Sequence, residues 1–176
     1  ADSALHADTR WALSLLHEKQ KTYLASVERI DDFIAQHTLD DRVPLGMLRK
    51  ANMLTDRVKD VEAGIKAYLA LMERFPEDDA AAEAQLALGK CYEKKQKDYV
   101  RAIDTYSSFS RKFAEHKEAG ASLHLAGKLA ESKMKDYQLA LTLYQEVVEK
   151  FNKDVVVDDA RKRVKKMEEK IAKEQQ

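Results

Sequence analysis

Five histidines, one cysteine and four Asp-Asp pairs are the residues with which this chain could do chemistry. His6 and His17 stand eleven positions apart, three helical turns, too far along one helix to share a metal ion. His37, His116 and His124 are scattered, so all five histidines are expected as solvated surface groups. Cys91 aligns with apolar residues elsewhere in the chain (Met53 and Leu129) and is expected as a small buried residue rather than a reactive thiol. The pairs Asp31-Asp32, Asp40-Asp41, Asp78-Asp79 and Asp158-Asp159 would suit acid–base work or calcium. Placed at predicted helix ends they are expected to cap backbone N–H groups instead. There is no glycine-rich phosphate loop, no His-Glu-x-x-His, no Gly-x-Ser-x-Gly and no Cys-x-x-Cys-His. The expectation is a non-enzyme with no cofactor and no metal.

Composition narrows the alternatives. The 176 residues carry 31 Lys+Arg and 31 Asp+Glu, a net charge of zero, which argues against a nucleic-acid grip built on bulk charge. Two prolines and five glycines are too little punctuation for an all-β fold. One cysteine excludes an internal disulfide. No apolar run approaches the roughly 18 residues of a membrane span.

The elements that would position these residues come from an internal repeat. Tyr68, Tyr106 and Tyr144 are spaced by 38, as are Phe75, Phe113 and Phe151. The same step carries Ala51 to Gly89 to Gly127, Asp60 to Asp98 to Asp136, and Ile65 to Ile103 to Leu141. One step further back lies a weaker copy, in which Leu13 falls in the column of Ala51, Gly89 and Gly127. Each copy reads as two helices, with apolar residues at i, i+3, i+4 and i+7 in the second. The aspartate column starts each second helix. Pro44 suits a first helical turn and Pro76 breaks the chain between copies. Nine helices are predicted, near 4–20, 22–37, 44–57, 60–75, 79–95, 98–113, 117–133, 136–151 and 156–173. In the last, Ala160, Val164, Met167 and Ile171 form a single apolar stripe. The run Arg161–Lys166 is expected to be its solvated face, and the helix is expected to cap the array.

Leu88-Gly89, Tyr92, Tyr99, Ala102, Tyr106 and Phe113, with Gly127, Tyr137, Ala140, Tyr144 and Phe151 and with Ala51, Gly64, Tyr68 and Pro76, resemble the tetratricopeptide repeat family. The period is longer than the family's usual one, and Gln85 and Leu123 replace its tryptophan. Phe75-Pro76 followed by Glu77-Asp78-Asp79 and an alanine-rich start is most similar to the bacterial envelope members, including the outer-membrane assembly lipoprotein and the periplasmic coordinator of cell-wall synthesis and constriction. The resemblance implies one all-α domain over residues 1–176, a right-handed solenoid with repeats near 5–38, 43–76, 81–114 and 119–152. It also implies a concave face lined by the first helix of each pair. That face would carry Arg10, His17, Leu48, Asn52, Leu86, Lys90, Lys94, His124 and Lys128. With lysine donors beside apolar spots, it would take a helix or extended peptide bearing carboxylates. The family's carboxylate clamp needs a Lys or Arg one turn before Asn; Leu48 precedes Asn52, so chaperone-tail binding is not expected. The function implied is a protein-interaction scaffold in a periplasmic complex. The alternatives are a cytoplasmic location, a self-associating subunit of a larger assembly, or an accessory domain of a longer regulator or enzyme.

Overall fold

The computed structural model describes residues 2–175, with side chains from residue 5 onward. Among the described residues there are nine helices and no strand. They are α1 (Asp2–Lys19), α2 (Tyr23–Gln36), α3 (Val43–Met53), α4 (Val61–Arg74), α5 (Asp79–Lys90), α6 (Tyr99–Lys112), α7 (Ala119–Leu129), α8 (Tyr137–Lys150) and α9 (Val157–Glu174). Helices α3, α5 and α7 each run on into a π-helical turn, at Leu54–Val58, Cys91–Gln96 and Ala130–Met134. With those turns included, every predicted end lies within two residues of the observed one. The chain divides into two compact units, Ala1–Ala87 and Leu88–Gln176.

Local chemistry repeats with the sequence. Asp60, Asp98 and Asp136 accept the backbone N–H of Ala63, Arg101 and Leu139 at 3.0, 2.9 and 2.9 Å, the expected N-caps. Each such cap stabilises its helix by about 0.5–2 kcal/mol. At the opposite turns, Asp40, Asp78 and Asp154 each accept the N–H two residues on, from Arg42, Ala80 and Val156. His116 occupies the same column and does the same with Nδ1, taking the Glu118 N–H at 3.1 Å. It also stands edge-on to Phe109. His116 is therefore a turn residue, which corrects its reading as a solvated group. Asp31 and Asp32 are not caps either. They lie inside α2 and pair with Lys50 and Arg29.

Each π turn ends at a lysine in the left-handed region: Lys59 at φ 68°, Lys97 at 56° and Lys135 at 58°. Lys21, φ 61°, closes α1 the same way. The column is spaced by 38 throughout. Upstream of it the first copy differs, because α1 lacks the π turn. The Asp98 N–H reaches back six residues to the Tyr92 carbonyl, whereas the Thr22 N–H reaches back five, to His17. One residue is missing, so the first half of α1 is offset by 37 from α3, not 38. The small residue of the first copy is Ser14, fully buried, and Leu13 is 39% exposed. Leu13 was the wrong member of that column. The Ser14 carbonyl accepts the Ser26 hydroxyl at 2.7 Å; in the next copy Gly64 stands there, where a Cβ would lie 3.2 Å from the Ala51 carbonyl oxygen.

In the first unit Val27, Ile30, Met53 and Leu54 form one apolar cluster, and Ala7, Phe33 and Val43 another, with Trp11 against Phe33. In the second unit the fully buried tyrosines Tyr106 and Tyr144 fill the space beside Gly89 and Gly127. Cys91 is buried there, as expected.

Candidate functional site

Each buried tyrosine points its hydroxyl at the last turn of the preceding first helix. Tyr68 donates to Asn52 Oδ1 at 2.6 Å, Tyr106 to Glu93 Oε2 at 3.0 Å and Tyr144 to Glu131 Oε2 at 3.1 Å. Burial is the main cause that pushes the Tyr106 and Tyr144 hydroxyls well above the usual phenol range. They remain protonated donors at every ordinary pH, so these are structural bonds and not acid–base groups.

Glu131 serves donors from three residues. It is 6% exposed, and besides Tyr144 it accepts Arg163 Nη1 at 2.6 Å and Lys166 Nζ at 2.7 Å, both from α9. Burial opposes its charge, but the Lys166, Arg163 and Tyr144 bonds outweigh that and hold its carboxyl below the usual range. Arg163 also bonds Asp159, whose other contact is His124 Nε2 at 2.7 Å. His124 is buried against the Tyr144 ring. Desolvation pushes its pKa down, and the half-exposed Asp159, already shared with Arg163, only partly offsets this. The imidazole is a member of a docking network for α9, which corrects the expectation of a solvated histidine. Arg163 and Lys166 likewise correct the reading of Arg161–Lys166 as a purely solvated face. The first unit repeats one element of this: Arg49, in the column of Arg163, pairs with Glu18, one residue out of the column of Glu131 as the missing π residue requires.

The predicted partner-facing residues separate into two groups. Leu48, Leu86 and His124 are 4%, 7% and 8% exposed, so they lie under the surface. They were expected on the surface because they flank the small position of each first helix; His124 is covered by Asp159 and the Tyr144 ring. Asn52, Lys90, Lys94 and Lys128 are exposed, and Arg10 and His17 are half-buried. The His17 ring bonds the Thr22 hydroxyl at 3.0 Å. The 37-residue offset also moves the first copy's counterparts of Leu48 and Asn52 from Arg10 and Ser14 to Trp11 and Leu15. Trp11 lies under two guanidinium groups, Arg42 and Arg49, at 5.7 and 4.9 Å from its ring centre.

Lys90 and Lys128 occupy the column that ends in Lys166. Lys166 is committed to Glu131; among the described residues no ion pair holds Lys90 or Lys128. No group of three or more His, Cys, Asp or Glu is placed to hold a metal, and no helix is long and apolar enough to cross a membrane, among the described residues.

Two segments, residues 83–116 and 121–153, match the family model of the tetratricopeptide repeat. No curated protein matches the chain in sequence. Among solved structures, the fold is similar to a tetratricopeptide repeat protein from Parabacteroides merdae, with a TM-score of 0.67 and 13% identity. That match covers 97% of this chain but 62% of the other, so the chain spans less than two thirds of that protein's length. It is also similar to the MamA RS-1 ArsTM double mutant, with a TM-score of 0.59, 13% identity and 97% of both chains covered. The likeness at these identities is one of fold: an all-α helical repeat of the tetratricopeptide type.

Proposed function

We propose that this chain is a non-catalytic interaction scaffold that binds an acidic protein or peptide segment along the first helices of its repeats. Tetratricopeptide repeats generally mediate protein–protein interaction, and two are found here. The observation that carries the reading is the pair Lys90 and Lys128. They are exposed at one repeat position in two successive copies, and no ion pair neutralises them among the described residues. Lys94, one turn beyond Lys90, extends the set. In the same unit His124 lies buried against the Tyr144 ring, one turn before Lys128. A carboxylate-bearing segment would gain charge-assisted hydrogen bonds from such lysines.

The setting we propose is a periplasmic complex of a bacterial envelope. The Phe75-Pro76-Glu77-Asp78-Asp79 junction and the alanine-rich start of α5 support it through their likeness to envelope proteins of this repeat type. Fractionation of the native cell tests the setting; recovery with cytosolic markers would contradict it. The binding reading is tested by salt and charge. Capture of the partner should weaken as ionic strength rises, since exposed charges are screened within about 10 Å at 0.1 M salt. Binding that strengthens with salt would contradict an acidic contact.

A further inference from the structure

In the second unit two successive copies carry the same acid–tyrosine pair, and only one pair has its cation. Glu131 accepts the Tyr144 hydroxyl through Oε2, and α9 closes the carboxylate with Arg163 Nη1 at 2.6 Å and Lys166 Nζ at 2.7 Å. One repeat earlier Glu93 accepts the Tyr106 hydroxyl, also through Oε2, at 3.0 Å. The place of α9 is now taken by α7, whose Ser122 hydroxyl reaches the Tyr106 carbonyl at 3.4 Å. In the column of Arg163 this helix carries Leu125. In the column of Asp159, which holds Arg163 Nε at 2.6 Å, it carries the exposed Ala121. Lys128 stands in the column of Lys166. Among the described residues no cation bonds Glu93 and no acid bonds Lys128. Glu131, under its two cations, is 6% exposed, whereas Glu93 is half-buried and open to solvent.

We infer that Glu93 is the seat for an arginine side chain of the bound segment, set among the acids that Lys90 and Lys128 hold. The inference rests on the scaffold reading above and adds the one basic residue that the segment carries. Arg163 shows within the same molecule what such a seat takes, a guanidinium on the carboxylate of an acid–tyrosine pair. The half-buried Leu125 gives the arginine's methylenes an apolar surface to lie along. A guanidinium suits the seat better than an ammonium, because it is the more weakly hydrated cation and presents a planar fork of donors to a carboxylate. The neighbouring lysines then form charge-assisted bonds to acids on either side of that arginine. The surface is therefore two-signed. A uniformly anionic chain sets a like charge against Glu93 and is disfavoured, which gives the contact a specificity that lysines alone lack.

The test is selection from a displayed library of random peptides on the full chain, on Glu93→Gln and on Lys90→Glu with Lys128→Glu. The parent should enrich acidic peptides that hold an arginine among the acids. Glu93→Gln keeps an amide oxygen for the Tyr106 hydroxyl, so it should fold as the parent does and enrich acids without arginine. A fluorescent copy of the selected peptide should bind the parent about tenfold more tightly than its twin with citrulline, the neutral isostere, in place of arginine. The two twins should bind Glu93→Gln alike. The comparison of twins on the parent needs no change to the chain, so folding cannot mimic it. Acids enriched on the parent without arginine, arginine enriched equally on Glu93→Gln, or equal binding of the twins to the parent overturns the inference and leaves the scaffold reading standing. No enrichment of acids on the parent, or acids enriched equally on Lys90→Glu with Lys128→Glu, overturns both.

Discussion

Gly89 and Tyr106 are fitted so closely that a methyl group on residue 89 would lie 2.6 Å from Tyr106 Cε1. The ring cannot retreat, because Tyr106 is 1% exposed and its hydroxyl is bonded to Glu93. Gly127 and Tyr144 repeat the fit at 2.7 Å. Gly89→Leu should therefore destabilise the chain by about 1–3 kcal/mol through overpacking. Gly46→Ala is the comparison: its new methyl would find the Trp11 ring at 3.4 Å, an ordinary contact, and alanine favours the helix by up to about 1 kcal/mol. Thermal melts should show a lowered Tm for the first and an equal or raised Tm for the second. Equal effects would contradict the packing described.

The offset in α1 gives a second expectation. Ser14→Leu places a large side chain at a fully buried position and should lower Tm, whereas Leu13→Ser, at an exposed one, should change it little. The reverse order would restore the uniform 38-residue register.

The left-handed lysines give a third. Lys97 lies at φ 56°, where glycine is unstrained and β-branched residues are not. Lys97→Val should lose about 1–2 kcal/mol, and Lys97→Gly should hold or raise stability. Denaturant midpoints check this; a tolerated valine would mean that the turn reshapes.

Acid should loosen the dock of α9. Burial lowers the His124 pKa, so the unfolded chain binds more protons than the folded one at mildly acidic pH. Stability from this group is complete above the ordinary value of 6.5 and is lost as pH falls below it. Glu131 and Asp159, also lowered, act in the same direction further down, below about 4.5 and 3.8. Tm should fall between pH 7.5 and 5.5, and His124→Asn should flatten that interval. At neutral pH Glu131→Gln should destabilise by about 1.5–3 kcal/mol, since Arg163 and Lys166 lose a charged acceptor. A pH-independent Tm in the parent would contradict this role for the network.

Most of the fold was legible because the repeat is written in residues whose function is geometric. Tyr106 needs the gap at Gly89, and Asp98 needs the N–H of Arg101, so both recur at 38. The lysine column Lys21, Lys59, Lys97 and Lys135 and the turn column Asp40, Asp78, His116 and Asp154 are equally visible in the chain, and their period was the signal that could have found them. The missing π residue was not visible, since periodicity assumes equal helical turns and a one-residue loss hides between two apolar candidates, Leu13 and Ser14. The candidate site was legible only in part. Lys90 and Lys128 are exposed as expected, but His124 is buried by Asp159 and Arg163, thirty-five and more positions away, a contact that no local pattern encodes.

The most direct test of the scaffold reading is a crosslinking pull-down from the native cell, with the parent chain and with Lys90→Glu plus Lys128→Glu. Both side chains are exposed, so circular dichroism and Tm should be unchanged. The account predicts that one partner is captured by the parent and lost selectively on charge reversal. Identical partners with both chains would contradict it and move the contact to another surface.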